Sequence, residues 1–155
     1  LVRNFCDSAL MVLVWDALQK SPDEQLAAIA AKSLKEVRYH LRHAREWVIR
    51  LGDGTDESHA RTQAAVDHLM PYTQEFWSDS GIEKTALLAG VGVDVNSLRP
   101  AWDALVNDTL AEATLARPKE GGYIPRGKSG EHSEHLSFLL AEMQCVARSL
   151  PNASW

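Results

Sequence analysis

The sequence predicts an all-α protein that folds as a helical bundle. Apolar residues recur at spacings of three and four positions over several long stretches, which is the pattern of helices with one buried face. Glycine and proline cluster at the breaks between these stretches. No segment alternates apolar and polar residues over more than four positions, as a half-buried strand would. The helices must therefore bury their apolar faces against one another.

The first helix is expected over residues 3–20 and is apolar on nearly every side, which predicts a central position in the bundle. Asp7 and Asp16 interrupt this apolar stretch. An acid near the start of a helix commonly interacts with the helix dipole, and we interpret Asp7 in this way rather than as a residue that faces the core of the bundle.

A long second helix is expected over residues 21–52, and the bundle is organised around it. Ser21 is the predicted N-cap, with Glu24 three residues later, and Gly52 marks the end. At about 1.5 Å per residue the helix spans roughly 45 Å, a length typical of bundles. The short break before it predicts that it runs antiparallel to the first helix.

A third helix is expected to begin at Thr55 or Asp56 and to continue to about Ser78. Pro71 lies inside this stretch. Because a proline removes one backbone hydrogen bond and clashes with the preceding turn, we predict a kink near residues 68–71. A helix of two turns over residues 82–89 follows.

The C-terminal part of the sequence predicts two further helices with a loop between them. Asn96 or Ser97 is the predicted cap of the first of these helices, which is expected to stop at Pro118. Residues 117–130 are rich in glycine and predict a loop. The last helix is expected over residues 131–150, with one apolar face.

Composition and charge restrict the class of protein. The chain has 155 residues and a net charge of −5, which disfavours nucleic acid as a partner because phosphate binding depends on clustered Lys and Arg. The apolar run at residues 9–15 is shorter than the roughly 20 residues that cross a bilayer, so no membrane partner is expected. Cys6 and Cys145 lie in helical patterns, which predicts reduced thiols and a cytoplasmic location.

The middle of the long helix carries a polar cluster. Its members are Lys35, Glu36, Arg38, Tyr39, His40 and His43. Bundles that bind two metal ions take a Glu from each of two helices and a Glu-x-x-His pair from each of the other two. No Glu in this sequence is followed by a His three residues later, and Val37 occupies the position three residues before His40. The motif is therefore dismantled around Val37 and His40, and no metal ligand is predicted.

Two interpretations of the polar cluster remain open. The positive charge of Lys35 and Arg38 disfavours a bound cation and favours ion pairs, so we interpret the cluster as a buried or interfacial polar network. The alternative is a divergent metal-binding oxidoreductase that uses Glu36, His40 and His43. No nucleophile stands in a strained-turn motif beside a base, so no catalytic residue is predicted.

A second group of possible ligands lies at the predicted start of the last helix. It consists of Glu131, His132, Glu134 and His135. His132 and His135 would share one face of that helix, which is a spacing found in metal sites. We favour a structural role, because acids are common in the first turn of a helix and no second ligand cluster accompanies this one.

The predicted loop before the last helix is basic. Its cations are Arg117, Lys119, Arg126 and Lys128. They would suit phosphate groups, but the loop lacks the GxxxxGK[ST] pattern that cradles a nucleotide. We therefore interpret this segment as a solvated or partner-docking loop, with contact to a phosphate as the alternative.

Two long segments of the sequence resemble a known protein family. They are KSLKEVRYHLRHAREWVIRLGDGTDES at residues 32–58 and GKSGEHSEHLSFLLAEMQCVARSLPNASW at residues 127–155. Both are similar to the PaaA/PaaC family of ferritin-like proteins, and within it to the PaaC components of the bacterial multicomponent phenylacetyl-CoA oxygenase, a ring 1,2-epoxidase. The resemblance runs from about Asn4 to Trp155. Because family members are longer at the N-terminus, we expect residues 1–155 to form the C-terminal part of one ferritin-like helical domain, with additional C-terminal helices.

The resemblance implies a structural subunit without catalytic residues. In this family the di-iron site and the binding site for the CoA thioester belong to the catalytic A subunit, whose corresponding helix reads Lys-Glu-Glu-x-x-His. This sequence keeps Lys35, Glu36 and His40 but has Val37 in place of the ligating Glu. The resemblance therefore implies no cofactor in this chain and a heterodimer with the A subunit, which assembles further with other subunits for aerobic phenylacetate degradation. It also raises the alternative that the basic loop reaches the CoA phosphates.

Overall fold

The structure, a computed structural model, describes residues 1–78, 80–119, 121 and 125–154. The chain divides into two compact units, Leu1–Ile124 and Pro125–Trp155. All secondary-structure elements in the described residues are helices. The one β-type pairing there is an isolated bridge between Arg126 and Glu131. The predicted all-α class is confirmed, and the helical architecture is consistent with a ferritin-like bundle.

The α-helices are distributed over the two units. In the first unit they are α1 (Val2–Leu18), α2 (Glu24–Gly52), α3 (Asp56–Leu69), α4 (Gly81–Leu88) and α5 (Arg99–Glu112), and in the second unit α6 (His135–Ser149). Short 3₁₀ helices cover Met70–Trp77, Val95–Leu98 and Gly127–Ser129. No helix in the described ranges has both the length and the apolar character needed to pass through a bilayer.

Helices α1 and α2 form the central pair of the first unit. Phe5, near the start of α1, belongs to the same buried cluster as Ala44 and Val48 in the C-terminal half of α2, which establishes an antiparallel arrangement. Ala30 and Leu34 continue the buried stripe of α2 toward its N-terminus. The predicted long amphipathic helix and its partner are thus confirmed.

Three aromatic side chains close the core at the level of α5. Trp102 of α5 is fully buried, and its ring meets Trp77 and Phe76 edge-on at centroid distances of 5.4 and 6.0 Å. Both partners lie on the 3₁₀ helix that begins directly after α3, where Pro71 stands at the second position. Near Pro71, where a kink was predicted, the helix changes from α to 3₁₀ geometry. Trp77, the last residue of the 3₁₀ helix, is buried in the core.

The start of α2 differs from the prediction. The helix begins at Glu24, and the Asp23 carboxylate caps it by accepting a 3.0 Å hydrogen bond from the backbone N–H of Leu26. Ser21 was wrongly predicted as the cap. Its hydroxyl instead donates a 3.0 Å hydrogen bond to the carbonyl oxygen of Val91, and so ties the α1–α2 turn to a loop seventy residues later.

The ends of α5 also differ from the prediction. Neither Asn96 nor Ser97 caps it, because a 3₁₀ turn capped by Asp94 precedes the helix. The helix ends at Glu112 rather than at Pro118, since Thr114 adopts φ = 58° and the following N–H returns to the carbonyl of Leu110. A left-handed residue other than glycine gives no obvious signal in the sequence.

The second unit is built around α6. No side chain of this helix is buried within the structure, and its apolar face is exposed. The exposed residues of that face include Leu139, Leu140, Met143 and Val146, and Phe138 is exposed on another side of the helix. The predicted apolar stripe is present, although the helix begins at His135 rather than at residue 131.

Candidate functional site

The polar cluster of α2 lies outside the buried stripe of the helix. The cluster residues Lys35, Glu36, Arg38, Tyr39, His40 and His43 are all exposed in the chain. Val37 is half-buried and points toward the packed side. The cluster is therefore a surface of the first unit and not a buried network within it. Arg38 reaches α1, where its guanidinium contacts Asp16 at 3.4 Å.

Three aromatic side chains form a ladder along this surface. The Tyr39 ring stacks on His43 at 6.2 Å with an interplanar angle of 19°, and His43 meets Trp47 edge-on at 6.5 Å. The spacing of four residues places the three rings on one helix face. We call Tyr39, His43 and Trp47 the aromatic ladder. Trp47 was not singled out from the sequence, although its position four residues after His43 was the signal that it shares this face.

Two guanidinium groups lie over the outer rings of the aromatic ladder. The Cζ atom of Arg42 is 5.7 Å from the centroid of Tyr39, and that of Arg50 is 5.4 Å from the centroid of Trp47. Such cation–π contacts hold a cation in place while leaving its N–H donors available. The face therefore combines aromatic area with oriented positive charge.

A cavity of about 470 Å³ opens between α1 and α2 beside the aromatic ladder. His40 and His43 line it from α2, while Arg3, Asp7 and Ser8 line it from α1. Asp7 was interpreted from the sequence as a dipole partner, but it lies in the second turn of α1 and faces this cavity. The signal for its position was the interruption of a highly apolar helix by an acid.

The donor set of this site does not fit a di-iron centre. The cavity offers one carboxylate, Asp7, and two imidazoles, with the Arg3 guanidinium beside them. In the part of the chain that the structure describes, no three His, Cys, Asp or Glu side chains converge closely enough to hold a metal ion. Two iron ions require several carboxylates to offset their charge. Val37, three residues before His40, supplies none.

The basic loop is distributed over both units. Arg117 is engaged within the first unit, where its guanidinium binds Asp103 at 2.6 Å and Asn107 at 2.8 Å and lies 5.5 Å above the ring of Trp102. Lys119 is exposed in the same unit. These two bonds tie Arg117 to α5, and contact between this loop and a phosphate stays a prediction.

The C-terminal motif lies mostly before α6. Glu131, His132 and Glu134 precede the helix, and His135 is its first residue. The prediction that His132 and His135 share a helix face was wrong, because the helix has not yet begun at His132. The guanidinium of Arg126 pairs with Glu131, one of the possible ligands, at 3.2 Å. Lys128 is exposed on the 3₁₀ turn of the same unit.

Comparison with known proteins gives two matches. The whole chain, residues 1–155, matches the PaaA_PaaC family model, described as "Phenylacetic acid catabolic protein". Over 155 residues the chain is 43% identical to the C subunit of the 1,2-phenylacetyl-CoA epoxidase of Escherichia coli (strain K12). The alignment covers 100% of this chain and 62% of that relative, so the chain spans less than two thirds of the relative's length.

Proposed function

Because this chain belongs to the PaaA/PaaC family of phenylacetic acid catabolic proteins, we propose that it serves phenylacetate catabolism as a non-catalytic structural subunit of the multicomponent phenylacetyl-CoA oxygenase. The name of the Escherichia coli relative, a C subunit of an epoxidase, supports this role. The chain would pack against the di-iron A subunit, hold that subunit in its active arrangement and contribute no ligand to its metal ions.

The observation that carries this proposal is Val37. It stands three residues before His40, where a di-iron bundle needs a ligating Glu, and an aliphatic group cannot balance the charge of a metal ion. Asp7, His40 and His43 do not compensate, since the cavity that they line also holds the Arg3 guanidinium. The oxygen chemistry is therefore assigned to the partner, where iron is expected to be bound.

The surface of the chain supports a subunit role. Tyr39 and Trp47 are 57% and 41% exposed, and the apolar face of α6 carries Leu139 at 55% and Met143 at 71%. Aromatic residues and methionine are enriched in interfaces between subunits, and contiguous exposed apolar faces mark interaction sites. We further propose a cytoplasmic location, because Cys6 and Cys145 are both free thiols, as is usual in a reducing compartment.

Co-expression with the A subunit from the same source tests the function. The expected result is a stable complex in which epoxidation of phenylacetyl-CoA requires both chains and iron remains with the A subunit after the two are separated. A matched His40→Ala variant is expected to leave the iron content of the complex unchanged. Stoichiometric iron in the purified chain, lost on His40→Ala, would instead establish the divergent metalloprotein. Failure of the two chains to co-purify would refute the structural role.

A further inference from the structure

We propose that residues 80–93, which contain α4, form a lid that opens as a unit while the rest of the first unit stays folded. The lid lies over an apolar recess between the C-terminal end of α1 and the N-terminal end of α2. Ser21, in the turn that joins these two helices, latches the lid through its hydrogen bond to Val91. This movement goes beyond the proposed function and does not depend on it.

Helix α4 is weakly attached to the rest of the first unit. The structure describes all eight of its residues, and none of them is buried. Leu88 and Ile82 are 89% and 84% exposed, and Ala86, which faces the recess, is half-buried. Because the free energy gained on packing scales with the apolar area removed from water, detaching this helix costs little compared with unfolding the core.

The lid keeps its own shape through hydrogen bonds within it. At its start the Ser80 hydroxyl accepts a bond from the N–H of Glu83, whose carboxylate accepts one from the N–H of Ser80, at 3.1 and 3.0 Å. At its end the N–H groups of Val91 and Gly92 both donate to the carbonyl oxygen of Ala86, at 3.1 and 2.9 Å. Both ends of α4 are therefore capped from within the lid, which can move without breaking these bonds.

A recess of about 230 Å³ separates the lid from the helices below it. The apolar side chains on its walls are Val14, Leu18 and Leu26 of the α1–α2 pair and Ala86, Val91 and Val93 of the lid. Packed protein cores leave few spaces larger than a water molecule, so the lid is not packed as part of the core. Opening of the lid would uncover the wall that α1 and α2 provide.

The latch joins the lid to the central helix pair. The half-buried Ser21 hydroxyl donates its 3.0 Å hydrogen bond to the carbonyl oxygen of Val91, whose own N–H bonds to Ala86. The bond therefore holds the C-terminal turn of the lid rather than a loose loop. A single hydrogen bond of this kind changes an opening equilibrium by about 2- to 10-fold.

Fixed residues bound the lid on both sides. Trp77, before the lid, is buried in the core. After the lid, the Asp94 carboxylate accepts a 3.1 Å hydrogen bond from the N–H of Asn96, and Val95 packs against the core. The movement is therefore confined to residues between Trp77 and Asp94.

Thiol labelling at about pH 8 tests the lid, because a thiol in the recess is shielded while the lid is closed. The probe is Val14→Cys in a Cys145→Ser background, in which the buried Cys6 reports global unfolding. The introduced thiol is expected to react at least about tenfold faster than Cys6 and at least about tenfold slower than the exposed Cys145 of the parent chain.

Two serine variants separate lid opening from global unfolding. Ser21→Ala removes the latch and is expected to speed labelling of the introduced thiol about 2- to 10-fold. Ser58→Ala is the matched control, because it removes a 2.8 Å bond from a serine hydroxyl to the carbonyl oxygen of Leu51, which stays intact when the lid opens. It is expected to speed labelling of Cys6 but not that of the introduced thiol.

Two glycine variants provide a second test. A Cβ atom at Gly92 would lie 2.9 Å from the backbone carbon and the Cβ of Ala86, so Gly92→Ala must shift the turn that the latch holds. This variant is expected to speed labelling of the introduced thiol at least about twofold. At Gly81 a Cβ meets nothing within 4 Å, and Gly81→Ala is expected to leave the rate unchanged.

Several results would overturn the lid. Equal labelling rates for the introduced thiol and Cys6 would mean that the recess opens only on global unfolding, and a rate equal to that of Cys145 would mean that it is always open. Acceleration of the introduced thiol by Ser58→Ala, or its absence in Ser21→Ala, would exclude the latched opening. None of these results bears on the proposed function, which binding to the A subunit tests separately.

Discussion

The indole Nε1 of Trp102 donates a 3.0 Å hydrogen bond to the carbonyl oxygen of Cys6, which joins α5 to α1 across ninety-six residues of sequence. Both side chains are buried, at 0% and 2% exposure. Trp102 also contacts Trp77 and Phe76 edge-on and lies under the Arg117 guanidinium. This residue therefore connects most of the elements that support the α1–α2 pair.

Trp102→Phe is expected to lower the free energy of unfolding by about 2–3 kcal/mol, because it removes the hydrogen bond to Cys6 and leaves part of the indole volume empty. Urea denaturation followed by circular dichroism measures the change. Trp47→Phe is the matched control, since the Trp47 side chain is 41% exposed and lies outside the buried core, and it is expected to change the stability by less than about 0.5 kcal/mol. Equal losses in both variants would contradict the role assigned to Trp102.

Gly52→Ala is expected to lower the free energy of unfolding by about 1–3 kcal/mol. A Cβ atom at this position would collide with the carbonyl oxygen of Ala113 and lie 2.9 Å from its Cβ, so α2 and the end of α5 would have to separate. Gly81→Ala is the control, because a Cβ there meets nothing within 4 Å and alanine favours the helix. Thermal denaturation should show a lower midpoint for the first variant and an equal or higher midpoint for the second.

Asp23→Ala is expected to cost about 0.5–2 kcal/mol of stability, because it removes the acceptor for the Leu26 N–H at the start of α2. Ser21→Ala is expected to leave the helix start intact and to act on the contact with Val91 instead. Hydrogen exchange at Leu26 separates the two effects, with faster exchange expected only in Asp23→Ala. Faster exchange in the Ser21 variant would mean that Ser21 caps the helix after all.

The Cys6 thiol is expected to be unreactive in the folded protein. Burial raises the pKa of Cys6 from the usual 9.0 to about 12, with the Arg117 charge opposing this in part. At about pH 8 a thiol reagent should therefore modify the exposed Cys145 quickly and Cys6 only after unfolding. Cys145→Ser should abolish the fast reaction, and a fast reaction that survives in this variant would contradict the burial of Cys6.

The raised pKa of Cys6 makes the free energy of unfolding depend on pH. Because the pKa of Cys6 is raised on folding, the folded state favours the neutral thiol. The corresponding stabilisation is fully present below about pH 9 and is lost as the pH rises from about 9 to about 12. Cys6→Ala should flatten this part of the curve of unfolding free energy against pH, whereas Cys145→Ser should leave it unchanged.

Local signals in the sequence were sufficient to predict the helices but not the residues at which they begin and end. The apolar stripe of α2 and the proline at residue 71 identified elements correctly, because a helix is defined by interactions between near neighbours. Ser21 and Asp23 are both good capping residues, and only the long-range bond from Ser21 to Val91 decided between them. The helix α5 ends shortly before Thr114, which adopts a positive φ, and no feature of the sequence indicates this.

The sequence indicated which polar residues cluster on α2, but it did not indicate which residues of other helices surround them, and the role of the cluster stays a prediction. Lys35, Glu36 and His40 were recognised from their spacing on α2, and Val37 from the motif that it interrupts. Asp7 was assigned to the helix dipole, although it lines the cavity with His40 and His43. Arg117 was grouped with a loop, although it pairs with Asp103. Each of these misjudged contacts joins residues that are distant in the sequence or on different helices.

The sequence by itself determined the all-α class and the apolar stripes, because composition and helical period act within a few residues of the chain, whereas the loss of an iron ligand at Val37 stays a prediction. Only the tertiary structure decided that the polar cluster of α2 faces outward as an aromatic and cationic surface, and that Trp102 holds α5 to α1. Helical period fixes which residues share a face, but which face is covered depends on elements far away along the chain, whose positions follow from packing of the whole core.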